Sequence, residues 1–257
     1  MGARSSKGWV LAAFPVLVSL LAGFGEAQPG PRVPVLVELF TSEGCNSCPA
    51  ADKLLEELLQ EQPIDGVYVV PLSEHVTYWD HQGWKDPFGA QQFTARQQQY
   101  GLRFNLDSIY TPQLVVDGAS EFVGSDRRSI ERALRSAAKH VKPALGLRVS
   151  ESNGTLTLTA SGPALVAEDD AELWVALTED GLVVDVKRGE NANQTLKHSG
   201  VVRLLRSAGD AKRAAPLSVT LDPAWRRDRL RIVGFVQSRK NRKIVGAGFQ
   251  PLNPSNP

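Results

Sequence analysis

From residue 33 the chain alternates between short apolar runs and segments whose apolar positions recur at helical spacing. Val35 to Phe40 (VLVELF) is rich in apolar and β-branched residues, the pattern of a buried strand. The turn TSEG, two cysteines and Pro49 follow. Beyond them Ala51, Leu54, Leu55, Leu58 and Leu59 fall on one helical face. Pro49 fits a first helical turn, where its missing N–H is not needed. Gly66 opens a second strand, VYVVPLS, and the polar, aromatic stretch EHVTYWDHQGW after it has no clear period. Asp86-Pro87 predicts a helix start, with Asp86 as N-cap, running through FGAQQFTARQQQY to Gly101. Thr111-Pro112 precedes the strand QLVV. Asp117-Gly118 is a hairpin signal before the strand SEFV. Ser125 or Asp126 is expected to cap a last helix, whose apolar face is Ile130, Ala133, Leu134, Ala137, Ala138 and Val141.

After Pro143 the pattern changes. LGLRVS, TLTLTA, ELWVALT, LVVDVKR, GVVRLL, LSVTL, LRIVGFVQ and KIVGAGF alternate or run apolar, separated by turn residues. Many short strands at such spacing predict an all-β unit, sandwich-like in form. The first half reads β-α-β-α-β-β-α, the order of a thioredoxin-like α/β/α sandwich, with the cysteine loop between the first strand and the first helix. The expected organisation is an α/β thioredoxin-like domain over residues 28–143, a mostly β domain over 144–250 and a disordered tail over 251–257.

The N-terminus adds a targeting segment. Arg4 and Lys7 precede an apolar run from Trp9 to Ala22, short for a membrane span, and Gly25-Glu26-Ala27 offers small residues for cleavage. Residues 1–27 are therefore expected to be a cleaved signal peptide, the alternative being an uncleaved membrane anchor. The mature chain is then expected to have no membrane span and to be periplasmic or secreted. Charge narrows the classes further. Twenty-nine basic and 28 acidic residues are well mixed, so no basic stripe argues for nucleic acid. Four histidines and two cysteines make a closed multi-ligand zinc site an unexpected reading. No metal and no cofactor is expected.

Export gives the two cysteines their meaning. In an oxidising compartment a pair this close is expected to be disulfide-bonded. Closing so short a loop stabilises a fold little, so a purely structural staple is a weak reading. Cys45 falls just before a helix N-terminus, where free N–H groups and the macrodipole favour an anion, which makes it the nucleophile candidate. Cys48, one turn in and more buried, is placed to resolve a mixed disulfide.

The stretches ELFTSEGCNSCPAADKLL, HVTYWDHQGWKDPF, TARQQQY, YTPQLVVDGASEFVGSD and RGENANQTL carry a resemblance. Together and in order, over roughly residues 34 to 250, they resemble the exported, thioredoxin-like family catalogued as domain of unknown function 1223. That resemblance implies the fold but no established activity. Glu74 departs from it, standing where the pattern has an apolar or aromatic residue.

In a thioredoxin-like arrangement Pro112 is expected to be a cis-proline facing the dithiol, with Thr111 offering backbone groups to an extended substrate; otherwise Pro112 is an ordinary strand opener. Glu38, inside the first strand, is a candidate proton acceptor for Cys48, or else a paired strand carboxylate. His75 ends the second strand on the same edge and is a candidate acid/base, or else a loop histidine bound to backbone. Trp79 and Trp84 are candidates to wall a substrate cleft, or simply pack their insertion down, while Asp80 is expected to fix that loop. The stretch RGENAN, with Arg188, Glu190, Asn191 and Asn193, is a candidate loop facing the dithiol or a turn between strands.

The expected function is thiol–disulfide exchange on protein thiols or disulfides, with a redox partner protein. Two rivals stand beside it: a copper-binding carrier using the cysteines with His75 and His81, and a non-enzymatic interaction protein on the same scaffold.

Overall fold

The computed structural model describes residues 1–2 and 32–252, so the expected signal peptide beyond its first two residues, and residues 253–257 of the tail, lie outside the described residues. β1 (Val33–Thr41) and β2 (Val67–His75) are parallel, in register from Val33↔Val67 to Thr41↔His75. Side chains alternate across this pair. Val35, Val37, Leu39, Val67 and Val69 pack against α1 (Cys48–Glu61), which presents Ala51, Leu54, Leu55 and Leu58. Leu36, Phe40, Val70 and Leu72 face the other side. The same parity places Thr41 and His75 on the α1 face, and Glu38 and Glu74 on the opposite one.

α2 spans Gln91–Phe104, with Ala90 at its N-cap and Asn105 in the left-handed conformation after its last turn. The helix start expected at Asp86 is not there. Its carboxylate instead accepts hydrogen bonds from the backbone of Glu43 and Phe88, and residues 86–89 form a turn. β3 (Gln113–Val116) runs antiparallel to β1 and continues into β4 (Ser120–Val123). Their hairpin turns on Asp117 and Gly118, both at positive φ, and a Cβ on Gly118 would lie 2.0 Å from the Arg242 carbonyl oxygen. α3 (Arg127–Ala137) is capped by Asp126, which accepts from the Ser129 N–H at 3.1 Å. It buries Ile130 and Leu134 but stops before Val141, which is 89% exposed.

The second half supplies β5 (Gly146–Ser152), β6 (Thr155–Ser161), β7 (Ala171–Glu179), β8 (Leu182–Asp185), β9 (Thr195–His198), β10 (Val201–Asp210), β11 (Leu217–Thr220), β12 (Leu230–Ser238) and β13 (Ile244–Pro251). All but β9 match runs expected from alternation. Four of these strands do not form a separate sheet. They extend the first one, giving an eight-stranded mixed sheet of order β13-β12-β7-β10-β2-β1-β3-β4. The two halves meet where β10 runs parallel to β2 at Val201↔Ser73, with the Ser73 N–H on the Gly200 carbonyl at 2.7 Å. One core crosses that seam, joining Leu36, Val70, Leu72 and Phe93 to Val202, Val233 and Phe235. β11, β6 and β5 form a smaller sheet packed on β7 and β12 through Leu156, Leu158 and Val219, and β8 and β9 form a two-stranded ribbon. The architecture is thus α/β, with a large mixed sheet and few helices. No helix among the described residues is long and apolar enough to cross a membrane.

Candidate functional site

The cysteine loop leaves the C-terminal end of β1 and enters α1. Cys45 and Cys48 are joined in a disulfide with Cα atoms 5.4 Å apart. Cys48 is the first residue of α1, Pro49 lies in its first turn, and no acidic side chain occupies that turn. The Ser47 hydroxyl lies 3.4 Å from Cys45 Sγ. Asn46 and Ser47 are exposed, but both cysteines are fully buried, so the expected contrast between an outer Cys45 and an inner Cys48 does not hold in the disulfide form. The segment between β8 and β9 covers them. Asn191, itself fully buried, donates through Nδ2 to the carbonyls of Glu43 (2.8 Å) and Cys45 (3.0 Å). Glu190 accepts from the Asn46 N–H at 3.0 Å. RGENAN is thus a loop facing the disulfide.

The Thr111–Pro112 peptide is cis. Trp79 ties it to the cysteine loop: its indole N–H donates to Thr111 Oγ1 at 2.7 Å, and its Cβ packs against Gly44 so closely that a Cβ there would approach to 3.0 Å. Pro112 itself packs near Ala51 and Leu39 around Gly124. Trp84 donates to Glu43 Oε2 at 2.7 Å and sits under Gly189 of the covering segment. Both tryptophans therefore fasten loops together. Asp80 fixes its own loop by accepting from the Asp86 N–H at 3.2 Å.

Beside the disulfide, on the α1 face, lies a buried polar cluster that sequence reading reached only at His75. His75 Nδ1 meets Asp86 Oδ2 at 2.7 Å. His198, from β9, places Nε2 3.1 Å from Glu43 Oε1 and Nδ1 3.7 Å from Asp52 Oδ2. The two imidazoles pack edge to face, their centroids 4.9 Å apart. Asp52 is one helical turn after Cys48, so the two share a face of α1. Asp52 Oδ1, His75 Nε2, His198 Nδ1 and Thr41 Oγ1 are buried without a hydrogen-bond partner among the described residues. Asp52 also lines a groove of about 360 Å³ with Pro49, Lys53, Glu56 and Lys197, which gives it a route to solvent.

Burial pushes the Asp52 carboxyl above its usual range, against the pull of His198 and His75. For His75 burial works against the charge, but Asp86, Asp52 and Glu43 outweigh it and raise the imidazole above its ordinary value. For Asp86 burial is overcome by His75 and by the N–H groups of Glu43 and Phe88, which hold it low.

Glu38, expected beneath the dithiol, lies on the other face of the sheet. There Arg96 Nε and the Tyr100 hydroxyl each donate to it at 2.5 Å. Glu74, its neighbour, stands 3.5 Å from Arg96, and both its oxygens lack a hydrogen-bond partner among the described residues. Burial, then repulsion from Glu38, pushes Glu74 well above the carboxylate range. Strand parity is the reason: Glu38 points away from α1, and the carboxylate that shares a face with Cys48 comes from the helix. His81 is exposed in a short turn. No three His, Cys, Asp or Glu side chains among the described residues converge as metal ligands do. A cavity of about 630 Å³ between α3 and the β3–β4 hairpin is lined by none of these site residues.

Solved structures share this architecture. The crystal structure of protein AGR_C_4864 from Agrobacterium tumefaciens is similar with a TM-score of 0.65 and 26% identity, covering 90% of this chain and 98% of that one. HBP35 of Porphyromonas gingivalis matches with a TM-score of 0.59 and 17% identity, over 90% of this chain and 78% of its own, a likeness of fold alone. No curated protein matches the chain. The model of one family, described as "Protein of unknown function (DUF1223)", matches residues 36–237, and the chain belongs to that family.

Proposed function

We propose that the protein is an exported thiol–disulfide oxidoreductase of thioredoxin-like fold, exchanging disulfides with protein substrates through Cys45 and Cys48. One observation carries this reading. The disulfide sits where β1 hands over to the N-terminus of α1, and Trp79 holds the cis Thr111–Pro112 loop against that same cysteine loop.

In the reducing direction the Cys45 thiolate attacks a substrate disulfide. One S–S bond breaks, a mixed disulfide forms, and a substrate thiolate leaves. Cys48 then loses its proton, attacks Cys45 Sγ, and expels the second substrate thiolate. Two electrons pass to the substrate and the Cys45–Cys48 bond re-forms. Asp52, not Glu38, receives the Cys48 proton. It shares the helix face of Cys48, burial raises its pKa, and the groove beside Lys53 lets the proton leave. The oxidising direction runs the same steps backwards.

Burial of both sulfurs favours a second reading, a closed disulfide on an interaction scaffold. A trap separates the two. Cys48→Ser leaves Cys45 able to attack but unable to resolve, so the protein recovered from its host should carry dithiothreitol-sensitive adducts absent from Cys45→Ser. The wild type should also reduce insulin. No adduct and no insulin reduction would leave the scaffold reading standing.

A further inference from the structure

The disulfide and its cover belong to different halves of the chain, and the bonds between them are few and polar. Asn191 makes the deepest attachment, with both Nδ2 protons on backbone carbonyls of the cysteine loop. Glu190 makes the outermost, its carboxylate on the N–H of Asn46, the residue next to Cys45. Gly189 and Asn193 bracket these two at φ +81 and +68, conformations that mark tight turns at either end of the segment. Gln194 adds one contact to the Asn191 side-chain oxygen at 3.4 Å. Lys187 and Arg188 are exposed. The segment therefore holds a carboxylate beside the one sulfur that becomes an anion on reduction.

We propose that residues 187–194 form a redox-gated cap, closed over the Cys45–Cys48 disulfide and released when reduction creates a thiolate at Cys45. This rests on the exchange reading above and adds its regulation. In the disulfide form neither sulfur carries charge; Glu43 of the same loop is buried and engaged by His198 and Trp84, while Glu190 sets an exposed carboxylate on the Asn46 N–H beside the α1 N-terminus. A dithiol reductant gives up two electrons and two protons' worth of S–H bonds and leaves as its own disulfide. The chain gains a Cys45 thiolate and a Cys48 thiol, and the remaining proton goes to solvent. The thiolate then competes with Glu190 for the positive end of α1, and like charges repel. Opening exposes Cys45 only in the form that attacks a substrate disulfide, and re-oxidation closes the cap.

The test uses the full chain with dithiothreitol as reductant and reads hydrogen exchange at residues 188–193, with thermal unfolding as the check that each variant folds. Reduction of the wild type should speed exchange there about fivefold or more, as expected for a local opening separate from global unfolding. Glu190→Gln keeps an oxygen for the Asn46 N–H but carries no charge, so reduction should leave its cap protected. The double variant Cys45→Ser, Cys48→Ser has neither disulfide nor thiolate and should also stay protected, which separates charge from the mere loss of the S–S bond. Asn191→Ala removes both hydrogen bonds to the cysteine loop, so its oxidised form should react with dithiothreitol about tenfold faster than the wild type. Equal protection of the wild type in both redox states overturns the proposal. So does a double variant as exposed as the reduced wild type, or an Asn191→Ala disulfide no more reactive than the native one. None of these readings depends on a protein partner, so they stand or fall apart from the trap.

Discussion

At the scale of single residues, Asp52 is a group whose environment works against its ionised form. Its folded pKa is raised, so the carboxylate costs stability that grows as pH climbs through that value and vanishes towards pH 4. Asp52→Asn should therefore melt higher than the wild type at pH 8, with the difference shrinking in acid. The same variant should slow resolution of the mixed disulfide by at least about tenfold, because a positioned proton acceptor has been lost. Higher stability with unchanged exchange would remove Asp52 from the mechanism. His75 and Asp86 behave in the opposite way. Asp86 is lowered, so its contribution is present above the ordinary carboxylate value and fades as pH falls through the folded one. His75 is raised, so its contribution is complete below the ordinary imidazole value and fades as pH rises through the folded one. The pair is strongest between about pH 4 and 6.5. In urea at pH 5.5, Asp86→Asn should cost about 3 kcal/mol, the scale for breaking a buried pair, and less at pH 9.

At the scale of elements, strand parity decides which carboxylates meet the cysteines. Glu38 and Glu74 sit on the α2 face, where a single Arg96 serves both. Glu38 takes the short contacts, and burial together with repulsion from Glu38 pushes Glu74 well above the carboxylate range. Glu74→Gln should leave stability at pH 7 unchanged or slightly higher, whereas Glu38→Ala, which takes the short contacts from Arg96 and the Tyr100 hydroxyl, should cost about 3 kcal/mol. Denaturant melts of the two variants side by side check this. Most elements were legible from apolar periodicity because they bury a face. The failures share a cause. Asp86 before Pro87 has the local signature of a helix cap, yet its carboxylate is taken by His75 and the Glu43 N–H, neither of which local pattern reveals. Asp52 is one acidic position on a helix whose pattern is set by its leucines, and spacing alone does not show that it meets His198. His198 lies on a four-residue strand, β9, too short and too polar to announce itself. What brings them together is topology across 155 residues of sequence, between Glu43 and His198.

At the scale of the whole molecule, the two halves share a sheet, a core and a site. The change of texture after Pro143 was legible, and it marks a change of architecture. That the later strands would extend the earlier sheet was not, because alternation gives the faces of a strand and not its neighbours. Removing residues 144–257 would strip β10 from the edge of β2, expose Leu36, Val70, Leu72 and Phe93, and take His198, Glu190 and Asn191 away from the cysteines. Residues 32–143 alone should therefore fail to give a cooperative melt, while the whole chain unfolds in one calorimetric transition. Two well-separated transitions would show that the seam is only an apposition.

Cys45 and Cys48 are the only two cysteines in the 257 residues, and both stand in the one site. Thiol-blocking reagents added to intact cells therefore read that site without purification or mapping. A labelled chain carries two tags when reduced and none when bridged. A chain carrying a single tag has one sulfur committed elsewhere, the state that the proposed exchange passes through as its mixed disulfide.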